Sequence, residues 1–540
     1  MDGHLRVPAP KNEAPRSYAP GSAQRESVRA ELARLAELRT EVPLWIGGQD
    51  VFHQPVDLTS PHEKRRIIAR VASATADDVQ AAIEAALAAK REWARLPYAD
   101  RAAVFLKAAE LLAGPYRDRI NAATMLGQSK TIHQSEIDAV SELCDFWRFN
   151  AAFGDRLLDE QPISVDGVWN QQELRPLDGF VFAVTPFNFT AIAGNLPTAP
   201  ALMGNTCVWK PAPTQMLSAQ VIIDVLKEAG LPPGVINMVA GDPQTIGQVA
   251  IASEHLAGLH FTGSTSTFRH LWKQIGMNID RYRQYPRIVG ETGGKDFIFA
   301  HPSASVPALV TAIIRGGFEF QGQKCSAASR AYVPRSIWKE LEEPLLETIR
   351  SLRYGDVRDF SNFMGAVIDE RAFQKITGYA ELARSSATVL AGGNSDGSEG
   401  WFVAPTLVRV DDPRHRLMQE EIFGPIVTVW VYEDTELEDA LRLCDETSPY
   451  ALTGAIFARD RRTIRQLSER LRFAAGNFYI NDKPTGSVVG QQPFGGSRGS
   501  GTNDKAGSAA NLMRWASVRA VKESFVSPTD HRYPHMEPER

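Results

Sequence analysis

The strongest candidate for chemistry in this chain is one thiol, Cys325. It lies in the segment Phe320-Gln-Gly-Gln-Lys-Cys325-Ser-Ala, where a glycine-containing turn precedes a new series of strands and helices. A thiolate is a strong nucleophile once the thiol is deprotonated. A single cysteine is nevertheless more often a small buried hydrophobic residue. Other segments must therefore decide between these two interpretations.

Two polar residues upstream could act together with such a thiolate. Glu291 opens the segment Glu291-Thr-Gly-Gly-Lys at the end of an apolar run. A buried carboxylate can serve as a general base, although a solvated turn glutamate is the alternative. Asn188 follows the apolar run 180–184, where the carboxyl end of a strand would present it to a ligand. Its amide could hold an oxyanion, although an ordinary turn or cap asparagine is the alternative.

The other cysteines are Cys144, Cys207 and Cys444, and they are widely separated. Their spacing matches no metal-ligand or redox pattern, so we predict structural thiols and no metal site.

Composition excludes several classes of partner. The 540 residues carry a formal charge of −5, with 43% hydrophobic and 23% charged residues. There is no basic excess that would favour nucleic acid and no apolar run of about 20 residues that would span a membrane. The N-terminal residues lack the features of a signal or transit peptide. We therefore expect a cytoplasmic enzyme that acts on a small molecule.

The pattern of apolar residues predicts an α/β protein. The first third is largely helical, and Val28, Leu32 and Leu35 recur at helical spacing. Short apolar strands then alternate with helical stretches, which is typical of a doubly wound sheet. The strands are predicted at 180–184, 207–210, 235–239, 259–262 and 288–289, with helices at 218–228 and 244–252. A second series, with strands at 330–333, 388–390, 427–431 and 454–457, implies a second domain and a cleft.

The segment 163–168 has a different signature. Apolar residues alternate around Asp166-Gly167, a pair that favours a two-residue hairpin turn. We expect a protruding hairpin, with an internal role and a role in oligomer pairing equally open.

Five motifs in this order resemble those of the aldehyde dehydrogenase superfamily, together with Asn188 and across nearly the whole chain. They are Trp209-Lys-Pro, Phe261-Thr-Gly-Ser, Glu291-Thr-Gly-Gly-Lys, Gly322-Gln-Lys-Cys and Glu420-Glu-Ile-Phe-Gly-Pro. The resemblance implies a doubly wound cofactor domain, an α/β catalytic domain and an oligomerisation element formed by a hairpin and the C-terminus. The implied ranges are an N-terminal extension with a helix at 1–40, a cofactor domain at 41–158 and 177–289, a catalytic domain at 290–482, and an oligomerisation element at 159–176 and 500–540.

The same resemblance implies the roles of the residues. Cys325 would be the nucleophile, Glu291 the general base and Asn188 an oxyanion donor. The implied cofactor is NAD, held by Thr185, Lys210, Gly263, Ser264, Thr265, Ser266, Thr267, Glu421 and Phe423. Many relatives that prefer NAD have an acid three residues after the lysine, whereas this chain has Pro213.

Three further stretches, 268–272, 475–483 and 485–504, resemble members that oxidise glutamate γ-semialdehyde to glutamate in proline catabolism. The implied substrate contacts are Ser326, Gly486, Ser487, Phe189, Phe494 and Glu142. For Glu142 a solvated helix face is nearly as good an interpretation. The implied assembly is a homo-oligomer, a dimer or higher.

Three alternatives stay open at this point. The chain could act on another carboxylated aldehyde, it could be a cysteine hydrolase or acyl transferase that needs no nicotinamide, or it could be a noncatalytic binding protein with the same fold.

Overall fold

Two seven-stranded sheets form the framework of this computed structural model, which describes residues 5–539. Residues 1–4 of the predicted N-terminal extension and residue 540 of the predicted oligomerisation element lie outside the described residues. Within 5–539, no helix has both the length and the apolar character needed to cross a membrane.

The first sheet is parallel over five strands and antiparallel at one edge. In spatial order its strands are Arg287–Glu291, Leu256–Thr262, Phe180–Val184, Thr206–Lys210, Ile236–Met238, Leu44–Ile46 and Gln49–Val51. Among the five parallel strands, the chain starts with Phe180–Val184 in the middle, adds strands towards one side and then returns to the other. The carboxyl ends on either side of Phe180–Val184 therefore form a topological switch point, where open α/β sheets bind ligands.

The helices around the first sheet confirm the predicted crossovers. Thr190–Leu202, Met216–Ala229, Pro243–Ala252 and Thr265–Met277 connect successive parallel strands. Asp242 and Ser264 cap two of them by accepting hydrogen bonds from Thr245 N and Thr267 N. All five predicted strands are present, with ends shifted by up to three residues.

The second sheet is parallel except at the edge where Thr388–Ala391 runs antiparallel to its neighbour. Its spatial order is Thr388–Ala391, Thr406–Val410, Ile426–Tyr432, Ala328–Pro334, Asp296–Ala300, Thr453–Phe457 and Asn477–Ile480. Its main helices are Val306–Phe318, Arg335–Ser351, Glu370–Ser386, Leu437–Glu446 and Arg461–Arg470. All four predicted strands are present, and the sheet has three further strands.

The first third is helical, as predicted, but it also contains a small sheet that the sequence did not reveal. The helices are Ala23–Glu37, Ala76–Arg95, Tyr98–Ala113, Arg117–Gln128, Ile132–Ser135 and Leu143–Leu157. The small sheet consists of Thr40–Val42, Glu63–Val71 and Val56–Ser60. Between two of the helices, Glu136–Glu142 winds as a π-helix, a rare form that is often found at functional sites.

The predicted local hairpin around Asp166-Gly167 is wrong. The two residues do form a turn, and Gly167 has a φ of 74°. However, the strand that follows, Val168–Pro176, pairs antiparallel with Ala516–Ser524 near the C-terminus. The residues before the turn form no strand. Their side chains take the place of a strand at the edge of Val168–Pro176, where Gln172 N donates to Gln161 Oε1 at 2.8 Å.

Candidate active site

One cavity brings together four of the residues singled out by sequence. Its volume is ≈ 560 Å³ including its open mouth, and its lining includes Cys325, Glu291, Glu142 and Phe494. The cavity therefore joins a thiol to two carboxylates that come from distant parts of the chain.

The backbone before Cys325 is held in an unusual conformation. Phe320 and Gln321 both have positive φ, at 51° and 55°, which is costly for residues other than glycine. The Gln321 side chain fixes this turn by donating to Ser129 O at 3.0 Å and to Ala366 O at 2.7 Å. The turn before the thiol is therefore hydrogen-bonded to two distant segments of the chain.

Burial favours the neutral thiol. It raises the pKa of Cys325 well above its usual range, and nearby carboxylates, with Asp296 first and Glu421 and Glu291 after it, raise the pKa further. Activation of the sulfur therefore requires a group that takes its proton.

Glu291 ends the edge strand of the first sheet and lies on the same cavity. Its Oε2 accepts a hydrogen bond from Gly496 N at 2.9 Å. Burial raises the pKa of Glu291 well above its usual range, while Gly496 N and the nearby Lys505 lower it. A carboxylate with a raised pKa is suited to accept a proton near neutral pH.

Asn188 lies against the cysteine turn. Its Nδ2 donates to Gln323 O at 3.0 Å, two residues before the thiol, and the side chain is buried. The amide nitrogen carries a second hydrogen that this bond leaves available. The structure thus places this donor beside the cysteine turn, although Asn188 is not among the residues that line the cavity of Cys325.

A buried ion pair that sequence reasoning missed lies between the Asn188 segment and the cysteine turn. Lys130 Nζ is 2.5 Å from Asp138 Oδ2, and both side chains are buried. Lys130 Nζ also lies 4.3 Å from the Phe189 ring centroid and 4.4 Å from that of Phe320. Asp138 accepts from Thr190 N at 3.0 Å, at the start of the helix after Asn188. No local pattern distinguishes Lys130 from a surface lysine.

Several predicted cofactor residues lie at the carboxyl edge of the first sheet. Thr185 Oγ1 accepts from Trp209 Nε1 at 3.0 Å, and Thr185 N donates to Lys210 O at 3.1 Å. Lys210 is buried, and burial lowers its pKa to about 8 while Asp242 opposes the shift. Asp242 thus provides an acidic neighbour for Lys210, although position 213 is a proline.

The residues 263–267 form the N-terminus of the helix Thr265–Met277. Ser264 Oγ accepts from Thr267 N at 3.2 Å and lies 3.1 Å from Ser266 Oγ. Thr265 Oγ1 donates to the Tyr450 hydroxyl at 3.3 Å. Gly263 directly precedes Ser264, which is the N-cap residue of this helix. A helix N-terminus with hydroxyl groups around it suits a phosphate.

Glu421 and Phe423 line a second cavity of ≈ 250 Å³, together with Gly294 and Lys324. Glu421 Oε1 accepts from Gly294 N at 3.0 Å, and a Cβ at Gly293 would overlap the carboxylate. The two glycines therefore form a cradle for this acid. Burial raises the pKa of Glu421, and Gly294 N and Lys375 oppose the shift.

Three of the predicted substrate residues lie on the cysteine turn or on a loop that contacts it. Ser326 Oγ lies 2.7 Å from Thr485 Oγ1, which brings the loop of Gly486 and Ser487 to the cysteine turn. Gly486 has a φ of 92°, a conformation that favours glycine. Burial raises the pKa of Tyr479 to about 12, and the nearby Ser487 side chain opposes this shift.

The other predicted substrate residues differ in position. Phe494 lines the cavity of Cys325, whereas Phe189 does not and instead contacts Lys130. Glu142 ends the π-helix and faces this cavity rather than solvent. Burial, followed by Asp138, raises the pKa of Glu142 to about 8, and Lys130 opposes this.

Within residues 5–539, histidine, cysteine and acidic side chains form no group of three or more that could hold a metal ion. Cys144, Cys207 and Cys444 are buried free thiols.

A model of the aldehyde dehydrogenase family matches residues 45–521. The chain belongs to this family. The predicted α/β fold class is thereby confirmed, and a crystal structure with the same fold supports it. The delta-pyrroline-5-carboxylate dehydrogenase from Mycobacterium tuberculosis, bound with NAD, superposes with a TM-score of 0.96 at 55% identity and covers 100% of both chains.

Curated relatives extend over the same length. The chain is 48% identical over 530 residues to the mitochondrial delta-1-pyrroline-5-carboxylate dehydrogenase of Danio rerio, covering 97% of this chain and 95% of the relative. It is 49% identical to the corresponding protein of Bos taurus, covering 97% and 94%.

The names of these two relatives contradict one prediction. The sequence pattern led us to expect a cytoplasmic enzyme, but both relatives are named as mitochondrial proteins. The prediction failed because it relied on general features of the N-terminus, which do not determine the compartment.

Proposed function

We propose that this protein oxidises L-glutamate γ-semialdehyde, which is in equilibrium with 1-pyrroline-5-carboxylate, to L-glutamate with NAD as the cofactor. The reaction belongs to proline catabolism. The observation that carries the proposal is the single cavity that combines Cys325, Glu291 and Glu142. A nucleophile, a base and a carboxyl group whose anion could pair with an ammonium ion together fit an amino-acid aldehyde.

The first step is attack by sulfur. Cys325 releases its proton to water at the open mouth of the cavity, and the thiolate bonds to the aldehyde carbon while the C=O electron pair moves to oxygen. The Asn188 amide and the backbone N–H of Cys325 hold the resulting oxyanion. Removing one such donor typically lowers turnover by about 10²–10³.

The cofactor residues fit NAD through three kinds of group. The buried Lys210 is a cation suited to the adenosine ribose, the helix start at 263–267 suits the pyrophosphate, and Glu421 on its glycine cradle suits the nicotinamide ribose. We assign Thr185 and Phe423 to the same site. When bound, NAD would supply the hydride acceptor: as the oxyanion of the adduct re-forms its C=O bond, the carbon would lose its hydride and a thioester on Cys325 would remain.

Hydrolysis then releases the product. Glu291 takes a proton from water, the water oxygen attacks the thioester carbon, and the carbon–sulfur bond breaks to return the thiolate. Glu291 acts as the base in this step only when it is ionised.

The two ends of the substrate are held by different elements. Ser326, Gly486 and Ser487 offer hydroxyl and backbone N–H groups to the α-carboxylate. Glu142 takes the α-ammonium group, and Phe494 packs along the aliphatic chain. We also assign Phe189, which lies on the neighbouring loop, to the substrate site.

The domains and the assembly are part of the proposal. We assign 1–40 to an N-terminal extension, 41–158 and 177–289 to the NAD-binding domain, 290–482 to the catalytic domain, and 159–176 with 500–540 to oligomerisation. Supporting this, the isolated two-stranded sheet of Val168–Pro176 and Ala516–Ser524 exposes Trp169 and Val518. A second copy of the chain would cover such an edge.

The deciding experiment is a panel of aldehydes assayed with NAD and with NADP. We expect NADH formation to be fastest with glutamate γ-semialdehyde and absent in Cys325→Ala. Equal rates with another carboxylated semialdehyde would favour a different member of the family. Hydrolysis of thioesters or amides without any dinucleotide reduction would favour a cysteine hydrolase, and binding without turnover a noncatalytic protein.

The substrate subsite has its own test. Ser487→Ala should raise the KM for glutamate γ-semialdehyde far more than the KM for a simple alkanal. An equal rise for both would remove the loop 485–487 from carboxylate recognition.

A further inference from the structure

The segment 5–22, here called the N-terminal strap, lies outside the part of the chain that matches the family model. That match begins at residue 45, whereas the strap precedes the helix Ala23–Glu37. The strap is nevertheless bonded to the elements that carry the proposed substrate contacts. Its role is therefore one that the general family fold does not require.

The strap holds the π-helix Glu136–Glu142 at its first residue. Tyr18 Oη donates to Glu136 Oε2 at 2.8 Å, and Arg16 N donates to Glu136 Oε1, also at 2.8 Å. Glu136 is fully buried, and Arg117 forms an ion pair with it. The start of the π-helix is therefore fixed from the strap and from Arg117.

The strap also holds the chain just beyond the last residue of the π-helix. Glu13 N donates to Asp145 Oδ1 at 2.7 Å, three residues after Glu142. The Glu13 carboxylate pairs with Arg117 at 2.7 Å and with Arg148 at 2.8 Å. The position of Glu142 is thus fixed between two points of contact with the strap.

Asn12 connects this helix to the loop at the other end of the proposed substrate. Its Nδ2 donates to Asp145 Oδ2 at 2.7 Å and to Val489 O at 2.8 Å. Gln491 Nε2 donates to Asn12 Oδ1 at 3.1 Å. Val489 comes two residues after Ser487. One side chain therefore bridges the helical segment of Glu142 and the loop of Gly486 and Ser487.

We propose that the N-terminal strap is a specificity element, and that Asn12 is a positioning residue which sets the separation between Glu142 and the loop 486–487. The proposal rests on the proposed function, in which these two groups hold the ammonium and carboxylate ends of the substrate. A rigid separation favours a ligand that presents both charges at that spacing. Asn12 makes no hydrogen bond to Cys325, Glu291 or Asn188, so the chemical step does not depend on it directly.

The test compares two aldehydes in three full-length proteins. In Asn12→Ala we expect the KM for glutamate γ-semialdehyde to rise by roughly tenfold, as expected from loss of hydrogen bonds to a charged group and a carbonyl. The kcat should change little, and kcat/KM for propanal, which has neither charged end, should stay unchanged. Asn12→Gln keeps the amide and should recover part of the loss.

Arg6→Ala is the matched control. Arg6 lies on the same strap, but it pairs with Asp159 on the exposed surface at 2.6 Å. This variant should leave the KM for both aldehydes unchanged. An equal loss for both aldehydes in Asn12→Ala, or no loss for either, overturns the positioning role.

A second measurement keeps the result interpretable. Hydrogen exchange of backbone amides in 486–492 should accelerate in Asn12→Ala and not in Arg6→Ala, and equal exchange in the two variants contradicts the proposal.

The substrate preference of the parent protein distinguishes a failure of the proposed function from a failure of the strap proposal. If it shows no preference for glutamate γ-semialdehyde over propanal, the proposed function fails. If it has that preference and Asn12→Ala keeps it, only the strap proposal fails.

Discussion

Glu291 and Cys325 share one cavity, and burial favours the neutral form of both side chains. Burial therefore opposes the ionisation of both groups in the cavity that they share. In the proposed mechanism, Glu291 acts as the base for hydrolysis only after it has lost its proton. Turnover limited by hydrolysis should accordingly increase as pH rises through the raised pKa of Glu291.

Substituting the base should separate the two halves of the reaction. In Glu291→Gln we expect a rapid first turnover followed by a stalled steady state, lowered by about 10²–10⁴, because water is no longer deprotonated. Stopped-flow measurement of NADH absorbance resolves the two phases. Normal steady-state turnover in this variant would show that Glu291 is not the base.

Glu142 provides a prediction about pH. Its pKa is raised to about 8, so below that pH most of it is neutral, whereas an ammonium ligand stabilises the carboxylate. Binding below this pKa then releases a proton, so affinity should fall by up to about tenfold for each pH unit below it and level off above it.

The inhibition constant of L-glutamate, which does not cyclise as the semialdehyde does, measures this effect on both sides of that pKa. Glu142→Gln is the control and should bind weakly with little pH dependence. A parent protein whose inhibition constant stays flat with pH would contradict the role of Glu142.

Sequence reasoning identified the proposed catalytic residues, but it did not identify the buried ion pair beside them. Cys325 and Glu291 stood out because glycines and apolar strands flank them in recognisable motifs. Lys130 and Asp138 did not, because their importance comes from burial and from partners on other elements. A single sequence records neither.

The π-helix and the helix Thr190–Leu202 are joined by the buried pair Lys130–Asp138. Asp138 accepts from Thr190 N and Ala191 N at the N-terminus of that helix. The pair thus connects two elements on which the Asn188 loop and Glu142 depend.

Removing one member of this pair should therefore be costly. Lys130→Met leaves the Asp138 carboxylate buried without its cation, which typically destabilises a protein by about 3–5 kcal/mol. We expect a clear drop in the thermal unfolding midpoint, measured at one fixed heating rate. The double variant Lys130→Met with Asp138→Asn should lose less than the sum of the two single variants. Full additivity would mean that the two charges do not act as a pair.

The predictability of the elements depended on their length and burial. Parallel strands such as Phe180–Val184 are continuous apolar runs, so the sequence revealed them. The strands Leu44–Ile46 and Gln49–Val51 have three residues each, too few to show a period. The partner of Val168–Pro176 comes from more than 300 residues away, and no local pattern can specify such a pairing.

At the scale of the molecule, several strongly exposed apolar side chains among residues 5–539 lie around the two-stranded sheet near the C-terminus. Ile163 is 87% exposed, Phe525 64% and Val526 84%, alongside Trp169. Apolar groups gathered on one exposed edge favour association with another copy.

The mass in solution tests this association. We expect the parent protein to sediment as a dimer or a larger assembly, and Ile163→Asp combined with Phe525→Asp to shift it towards the monomer. Phe473→Asp is the control, because Phe473 is 73% exposed but lies outside this edge. A monomeric parent protein, or the same shift in the control, would contradict the oligomer proposal.

The overall plan of two sheets and a cleft was predictable, whereas the way in which the sheets meet was not. The alternation of strands and helices reveals each sheet, but the angle and contact between them depend on side chains from the whole chain. The strap is the clearest case, since its polar composition gave no indication that it would bond to the helix Leu143–Leu157.

The two proposed catalytic groups belong to different sheets. Glu291 ends a strand of the first sheet, and Cys325 lies just before the strand Ala328–Pro334 of the second. A shift of one sheet relative to the other would therefore move Glu291 relative to the Cys325 sulfur. In the proposed mechanism, such a shift would delay the attack of water while the sulfur stays acylated. An acyl group that stays longer on sulfur is open to capture by other nucleophiles such as hydroxylamine. If Cys325 and Glu291 have the proposed roles, the fidelity with which this enzyme makes a free acid depends on how its two sheets are aligned.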